Sequence, residues 1–358
     1  MSEPVAPPKF RAEELGPVCL VTGGAGYLGR AIVARLLDAG CTVRVLDVQP
    51  ASPDPRVTSY VADLRDHDAI APAFEGVDTV FHTAAVIATV GEDFATPRRK
   101  RFAWGVNVVG TENVLRACRA SKVKRLVHTS SFNVVTSGRI DEGDESLPYA
   151  EDERDLYSMT KIAAEKRVLA ADDPNGLRVV ALRPGGIWGG GRGSMMLEAF
   201  VTELAKGKFG ATIGDGTSVL DNVHVENVVD AELLAARALI ATPERAAGKA
   251  YFITDDERLN PMEWFRPIVE GLGHRFPTIK VPRSVMMTIA AGLELAQQFG
   301  SPEPTITRRG IRNLTDSISF RVDRARADLG YEPRYRHEHL ALLLPELRVI
   351  HDGIRAKA

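Results

Sequence analysis

The chain is 358 residues long, with 45 Lys and Arg against 47 Asp and Glu and a formal charge of −2. That length supports two compact units or one large α/β unit with an elaboration. The balanced charge lacks the basic excess that nucleic acid or an anionic membrane surface demands, so no nucleic-acid partner is expected.

The first 16 residues, MSEPVAPPKFRAEELG, mix acids, bases and prolines without an apolar stretch, and read as a flexible lead-in rather than a signal peptide or anchor. "PVCLVTGG" is then an apolar run ending in glycines. "LGRAIVARLLDAG" has helical periodicity closed by Gly40, and "CTVRVLD" is a second β-rich run. Between the first strand and the helix lies "TGGAGYLG". Gly23, Gly26 and Gly29 fit GxxGxxG, and Gly24, Gly26 and Gly29 fit GxGxxG. In this context the early glycines let backbone N–H groups approach a pyrophosphate, Gly29 lets helix and strand pack closely, and the helix N-terminus favours the anion. Tyr27 and Leu28, inside the turn, are expected to contact the same ligand.

Asp47 ends the second strand, 18 residues beyond Gly29, where a carboxylate accepts hydrogen bonds from adenosine ribose hydroxyls and repels a 2′-phosphate. This argues for NAD over NADP. Further buried-strand candidates are residues 57–63, 78–84, 124–131 and 177–184, with helical stretches between most of them, notably 104–121. Alternation of this kind predicts an α/β fold, a Rossmann-type doubly wound parallel sheet. The carboxyl ends of its strands, where ligands bind in open sheets, carry Asp63 and Leu64, Thr83, Ala84 and Ala85 of "HTAA", and Thr129 of "HTSS".

"DLYSMTKIAAE" at 155–165 places Tyr157 and Lys161 on one helical face, one turn apart. Lys161 can equally pair with Glu165 on a solvated face and do no chemistry. After Trp188 the pattern changes to a glycine cluster, helices without clear intervening strands, and a proline-punctuated tail. The expected organisation is a dinucleotide-binding domain over 17–187, with 219–254 returning to it, and a smaller, mainly helical substrate region over 188–218 and 255–358. The apolar segment 284–300 is too short to span a bilayer and is expected to be a buried helix, with peripheral contact with a membrane left open. Cys19, Cys41 and Cys118 are odd in number and read as small buried or half-buried thiols of a cytoplasmic protein. His337 and His339 point to different sides of a helix, so no metal is expected, and His224 reads as structural.

The glycine turn, Asp47, "ADLRD" at 62–66, "HTAA", "NVVGTENVL" at 107–115, "HTSS" at 128–131, Tyr157-x-x-x-Lys161 and "LRPGGIWG" at 182–189 occur in the order of the extended short-chain dehydrogenase/reductases. The resemblance runs from about residue 17 to 333. "IGDGTSVLDNVHVENVVDA" at 213–231, "GKAYFITDDERLN" at 248–260 and "FRVDRARADLGYEP" at 320–333 resemble the 3β-hydroxysteroid dehydrogenases, in particular the actinobacterial steroid or cholesterol dehydrogenases.

Oxidising a secondary alcohol requires a base for the hydroxyl proton, and a free tyrosine, pKa roughly 10, is too weakly ionised at neutral pH. A neighbouring ammonium lowers that pKa. The resemblance therefore implies Tyr157 as base, Lys161 as its tuner and a partner of the nicotinamide ribose, and Ser131, rather than Ser130, as the group orienting the substrate oxygen. It also implies Pro184 and Ile187 at the nicotinamide side of the pocket and Asn107 completing the site or touching the cofactor, with a helix-face polar residue as the alternative for Asn107.

Nucleotide-sugar relatives carry an arginine where this chain has Leu220, followed by Asp221. An apolar residue there leaves a diphosphate without its bidentate partner and suits a flat hydrocarbon, a pocket that Trp188, Met195, Met196, Phe200 and segment 284–300 could wall, with ordinary core as the alternative for each. The expected activity is NAD-dependent oxidation of the 3β-hydroxyl of a steroid or sterol to the ketone. Double-bond isomerisation would need a further acid–base group that is not assigned. The alternatives are a nucleotide-sugar epimerase or dehydratase, a decarboxylating 4-carboxysterol dehydrogenase, and an NAD-sensing regulator. A homodimer is expected.

Overall fold

The computed structural model of the chain describes all residues except 1–2, 52–53, 88–95, 152–155, 192, 300–303, 305 and 357–358. Its strands are β1 (Val18–Thr22), β2 (Thr42–Asp47), β3 (Val57–Val61), β4 (Thr79–His82), β5 (Arg125–Thr129), β6 (Ile140–Gly143) and β7 (Arg178–Pro184). Then come β8 (Gly186–Trp188), β9 (Thr212–Ile213), β10 (Asn222–His224), β11 (Lys249–Ile253), β12 (Lys280–Val281) and β13 (Ile318–Phe320). The helices are α1 (Ala12–Leu15), α2 (Tyr27–Asp38), α3 (His67–Ile70), α4 (Pro97–Trp104), α5 (Gly110–Ala120), α6 (Leu156–Leu169) and α7 (Met195–Ala205). They continue with α8 (Val225–Ala241), α9 (Pro243–Ala246), α10 (Arg266–Gly271), α11 (Arg283–Gln298), α12 (Arg308–Thr315), α13 (Asp323–Leu329) and α14 (Leu344–Arg355).

Seven strands form one parallel sheet in the order β11-β7-β5-β4-β1-β2-β3. The order reverses between β1 and β4, and a crevice opens at such a switch point. Strand alternation divides the core. Cys19 and Val21 of β1 face α2 and α8, packing with Ile32, Leu36, Val228 and Ala235. Leu20 faces the other way, towards α5, with Val114, Cys118 and Phe74. All three cysteines are buried free thiols.

Three expectations are corrected. The 57–63 run is not a buried strand: β3 is the sheet edge, paired only with β2, and Val61 is 59% exposed. The lead-in, exposed over most of residues 3–9, is anchored by Phe10 and Leu15, which lie in the same apolar cluster as α2 and α8, and by Arg35 and Arg334, which donate to the carbonyls of Pro8 and Val5. Burying two large apolar side chains contributes about 2 kcal/mol each towards the cost of ordering this strap. Residues 1–2 lie outside the described residues. Finally, α11 is not buried. Ile289, Leu295 and Phe299 are 46%, 55% and 82% exposed, whereas Glu294 turns inward and pairs with Arg308 of α12 at 2.6 Å. No helix of the described residues is long and apolar enough to cross a membrane.

Beyond the sheet, Trp188, Leu197, Val201, Trp264, Ile268, Leu340 and Leu347 form the core of a smaller lobe. Trp188, expected at a pocket wall, is fully buried there and donates from its indole to Asp255 at 2.6 Å. Met196 and Phe200 pack against this core, whereas Met195 is 54% exposed.

Candidate active site

The β1–α2 turn is shaped by steric exclusion. Gly23 has φ +71°, and a Cβ there would lie 2.8 Å from the backbone of Ala84. A Cβ on Gly29 would lie 2.1 Å from the Gly23 carbonyl oxygen, so the first turn of α2 can rest on the end of β1 only with glycine at that position. Gly26 is the N-cap of α2, and its own N–H donates to the Gly23 carbonyl at 2.9 Å. Asp47 at the end of β2 accepts from Ala25 N–H and Gln49 N–H, both at 3.1 Å, placing a carboxylate beside the glycine turn. Leu28 packs its side chain into the core, and Tyr27 lies beneath Gly189, where burial pushes its phenol up to about 12. The glycine cradle, the open helix N-terminus and the adjoining carboxylate fit a dinucleotide.

At the next strand ends, Thr83 donates its hydroxyl to the Thr22 carbonyl at 2.8 Å, and Ala84 and Ala85 continue beside Gly23. Asp63 is held by Arg65 through both carboxylate oxygens, and those hydrogen bonds keep it below the usual carboxylate range. Leu64 is buried against Gly110. Below this rim, His82 bridges Thr22 (2.7 Å) and Thr111 (2.9 Å), and burial lowers its pKa to about 3, so it stays neutral. His128, whose ring centroid is 5.2 Å away, is shifted in the same direction by burial.

Asn107 is not a helix-face residue. It sits in a π-helical turn (Gly105–Val109) between α4 and α5, 2% exposed, a distortion frequent at functional sites. Its side chain accepts from Val86 N–H at 2.7 Å and donates to the Val86 carbonyl at 3.0 Å and the Thr160 hydroxyl at 2.9 Å. Thr160 in turn donates to the Tyr157 carbonyl at 2.9 Å. The loop after β4 is thereby tied to the first turn of α6.

That helix carries the pair in question. Tyr157 is half-buried, and Lys161 is 3% exposed. The solvated Lys161–Glu165 pair is not formed: Glu165 accepts from Arg183 at 2.7 Å and from the Tyr149 hydroxyl at 2.9 Å. Lys161 donates instead to the carbonyl of Thr129, at the end of β5, at 2.6 Å. Burial lowers its pKa to about 8, opposed by the charges of Glu165 and Glu232. The two residues after Thr129 differ. Ser131 caps the 3-10 turn Phe132–Val134, accepting from Asn133 N–H at 3.2 Å. Ser130 donates its N–H to the Leu182 carbonyl at 2.6 Å, and its buried hydroxyl has no partner among the described residues.

Pro184 ends β7, paired with Ile253, and Ile187 in β8 pairs with Val223 of β10. Leu220 packs against a cluster of Val134, Val135, Ile140, Phe252 and Phe320. His224 is the N-cap of α8, stacked on Tyr335 at 3.8 Å and lowered to about 3 by burial, as a structural histidine should be. Glu232 escaped the sequence reading. It is fully buried in α8 and accepts from the Thr129 hydroxyl at 2.5 Å; an acid inside the apolar run "VVDAELLAARALIA" was its available signal.

Residues 20–283 match the family described as 3-beta hydroxysteroid dehydrogenase/isomerase. A 3 beta-hydroxysteroid dehydrogenase/Delta 5→4-isomerase of Mycobacterium tuberculosis is 40% identical over 327 residues, 90% of this chain and 87% of that protein. A 3-beta-hydroxysteroid dehydrogenase of Mycolicibacterium neoaurum is 37% identical over 349 residues, 96% of this chain and 94% of that one. Among solved structures, DesIV, a dTDP-glucose 4,6-dehydratase from Streptomyces venezuelae with NAD and TYD bound, superposes with a TM-score of 0.70 at 26% identity, covering 93% of this chain and 97% of its own. On a doubly wound parallel sheet with a glycine turn after its first strand, these likenesses make the chain a member of the 3-beta hydroxysteroid dehydrogenase/isomerase family.

Proposed function

We propose that the protein oxidises the 3β-hydroxyl of a steroid or sterol to the ketone with NAD. The observation that carries this is the buried Lys161 ammonium, fixed on the Thr129 carbonyl at 2.6 Å at the end of β5 and sharing a helical face with Tyr157. NAD, when bound, supplies the acceptor for the substrate's hydride. Gly23, Gly26, Gly29 and the N-terminus of α2, with Tyr27 and Leu28 through their backbone, would hold its pyrophosphate. Asp47 would take the adenosine ribose, and Asp63, Leu64, Thr83, Ala84, Ala85, Asn107, Thr129, Pro184 and Ile187 would line the rest of its cleft.

Tyr157 takes the proton of the substrate hydroxyl. The neighbouring Lys161 charge stabilises the phenolate over the phenol and brings its pKa towards neutrality. Ser131 orients the carbinol oxygen from the end of β5. The apolar Leu220 surface supplies no cationic fork for a diphosphate and favours a hydrocarbon skeleton. The relatives, named as 3β-hydroxysteroid dehydrogenases, support the same substrate class.

Purified protein is assayed for NADH formation with 3β-hydroxysteroids, a 4-carboxysterol and UDP-sugars. Turnover of 3β-hydroxysteroids is expected, with Tyr157→Phe losing about a thousandfold in kcat while retaining NAD affinity. Turnover of UDP-sugars alone would refute the substrate, and full activity of the variant would refute the base.

A further inference from the structure

We propose that Glu232 is a positioning residue of this site: its carboxyl, coupled to Lys161 through Thr129, sets how much positive charge the ammonium presents to Tyr157. The inference rests on the dehydrogenase reading above.

Thr129 is grasped from two directions. Its hydroxyl donates to Glu232 of α8 at 2.5 Å, while its carbonyl accepts from Lys161 of α6 at 2.6 Å. One residue at the end of β5 therefore joins an acid and a base that lie 71 positions apart, both almost wholly excluded from water. A purely structural role is a poor account of the acid. A buried carboxyl costs stability that an apolar side chain of similar volume would not, and the second oxygen of Glu232 has no hydrogen-bond partner among the described residues. Capping the Thr129 hydroxyl needs an acceptor and no charge.

The surrounding charges are accounted for elsewhere. On α8 itself, Asp230 pairs with Arg35 of α2 and with Arg334, and Glu226 faces the same two arginines. On elements packed against α8, Glu14 of α1 pairs with Arg11, and Asp328 of α13 with Lys249 of β11. Around Lys161, Glu165 is engaged by Arg183 and Tyr149, and His82 and His128 are buried and neutral. Among the described residues, Glu232 is thus the carboxyl near Lys161 that has no cation of its own. Burial raises its pKa to about 7, with Lys161 pulling the other way, so its charge changes in the working pH range.

The sign follows. An ionised Glu232 offsets part of the Lys161 field at Tyr157, holding the phenol pKa higher than Lys161 alone would, and it keeps Lys161 protonated to higher pH. Glu232→Gln retains an acceptor for Thr129 and removes the charge. The acid limb of the kcat/KM profile for 3β-hydroxysteroid oxidation is expected to move down by about one pH unit, and the alkaline limb with it. At and above about pH 7, where the wild-type Glu232 is ionised, the variant should turn over several-fold faster along the acid limb, a gain that a folding defect cannot produce, and at lower pH, where that carboxyl is protonated, the two enzymes should converge. Thr129→Val, which takes the hydroxyl from Glu232 and leaves Lys161 on the backbone carbonyl, removes a hydrogen bond that favours the ionised carboxyl and should move the limb the same way, and Thr129→Ser should restore it. Phenolate absorbance titration, referenced to Tyr157→Phe, reads the same shift without turnover. An acid limb unmoved in both Glu232→Gln and Thr129→Val, with wild-type enzyme active, would overturn the proposal; inactive wild-type enzyme with a shifted phenolate titration would instead strike the dehydrogenase reading.

Discussion

Asn107 and Thr160, 53 residues apart in sequence, meet side chain to side chain at 2.9 Å. The contact joins the π-helical turn ahead of α5 to the first turn of α6, and through Thr160 it reaches the Tyr157 carbonyl. The backbone of α6 at Tyr157 is thus tied, through Thr160, to a side chain from the π-helical turn. Asn107→Ala removes three hydrogen bonds and leaves Val86 N–H and its carbonyl to find other partners. The expected loss is on the order of 2 kcal/mol of stability, read by denaturant unfolding, together with at least a tenfold fall in kcat as Tyr157 loses its fixed position. Wild-type kcat in a folded variant would show that the clamp does not govern the site.

Gly29 supports the cofactor cradle through absence. A Cβ there would stand 2.1 Å from the Gly23 carbonyl and 2.7 Å from Gly24 Cα, both backbone atoms that can yield only by moving the turn. Gly29→Ala should weaken NAD binding by more than tenfold, because the turn can no longer present its N–H groups to a pyrophosphate. Isothermal titration with NAD checks this, and unchanged affinity would mean that the turn does not hold the dinucleotide.

Asp221 sets a pH dependence of stability that is independent of catalysis. It is 2% exposed, one oxygen accepts from Phe320 N–H at 2.7 Å, and the other has no partner among the described residues. Burial raises its pKa to about 7, above the unfolded value of about 3.9. The folded chain therefore holds the proton more tightly than the unfolded one. The contribution is fully present below the unfolded pKa and is lost as pH rises through 7. Asp221→Asn mimics the protonated form, and should raise stability at pH 8 by on the order of 4 kcal/mol while changing little near pH 4. Melting temperatures across that range test it; a uniform shift at all pH values would contradict the titration.

Much of this site is legible locally. A glycine turn between a strand and a helix, an acid closing the next strand, and a tyrosine and lysine one helical turn apart are each short-range patterns, and the parallel sheet follows from strand–helix alternation. Burial is a different kind of quantity. The run at 57–63 has strand residues but only one sheet neighbour, so Val61 faces solvent. The apolar 284–300 segment forms its helix yet leaves Ile289, Leu293 and Leu295 exposed among the described residues, and the start of the chain is anchored because Phe10 and Leu15 meet α8. None of these outcomes is a property of the segment alone.

The Lys161 pairing makes the same point at the level of charge. Glu165 lies one turn away on the same helix, but Arg183 of β7 claims it, and Lys161 turns to Thr129 and the field of Glu232. Sequence by itself determined which chemical groups this protein owns and the order in which strands and helices present them, because backbone periodicity and turn sterics act over a few residues. Tertiary structure alone decided which acid each base meets and which apolar face is covered, because ion pairing and burial are settled between segments that come together only when the sheet closes.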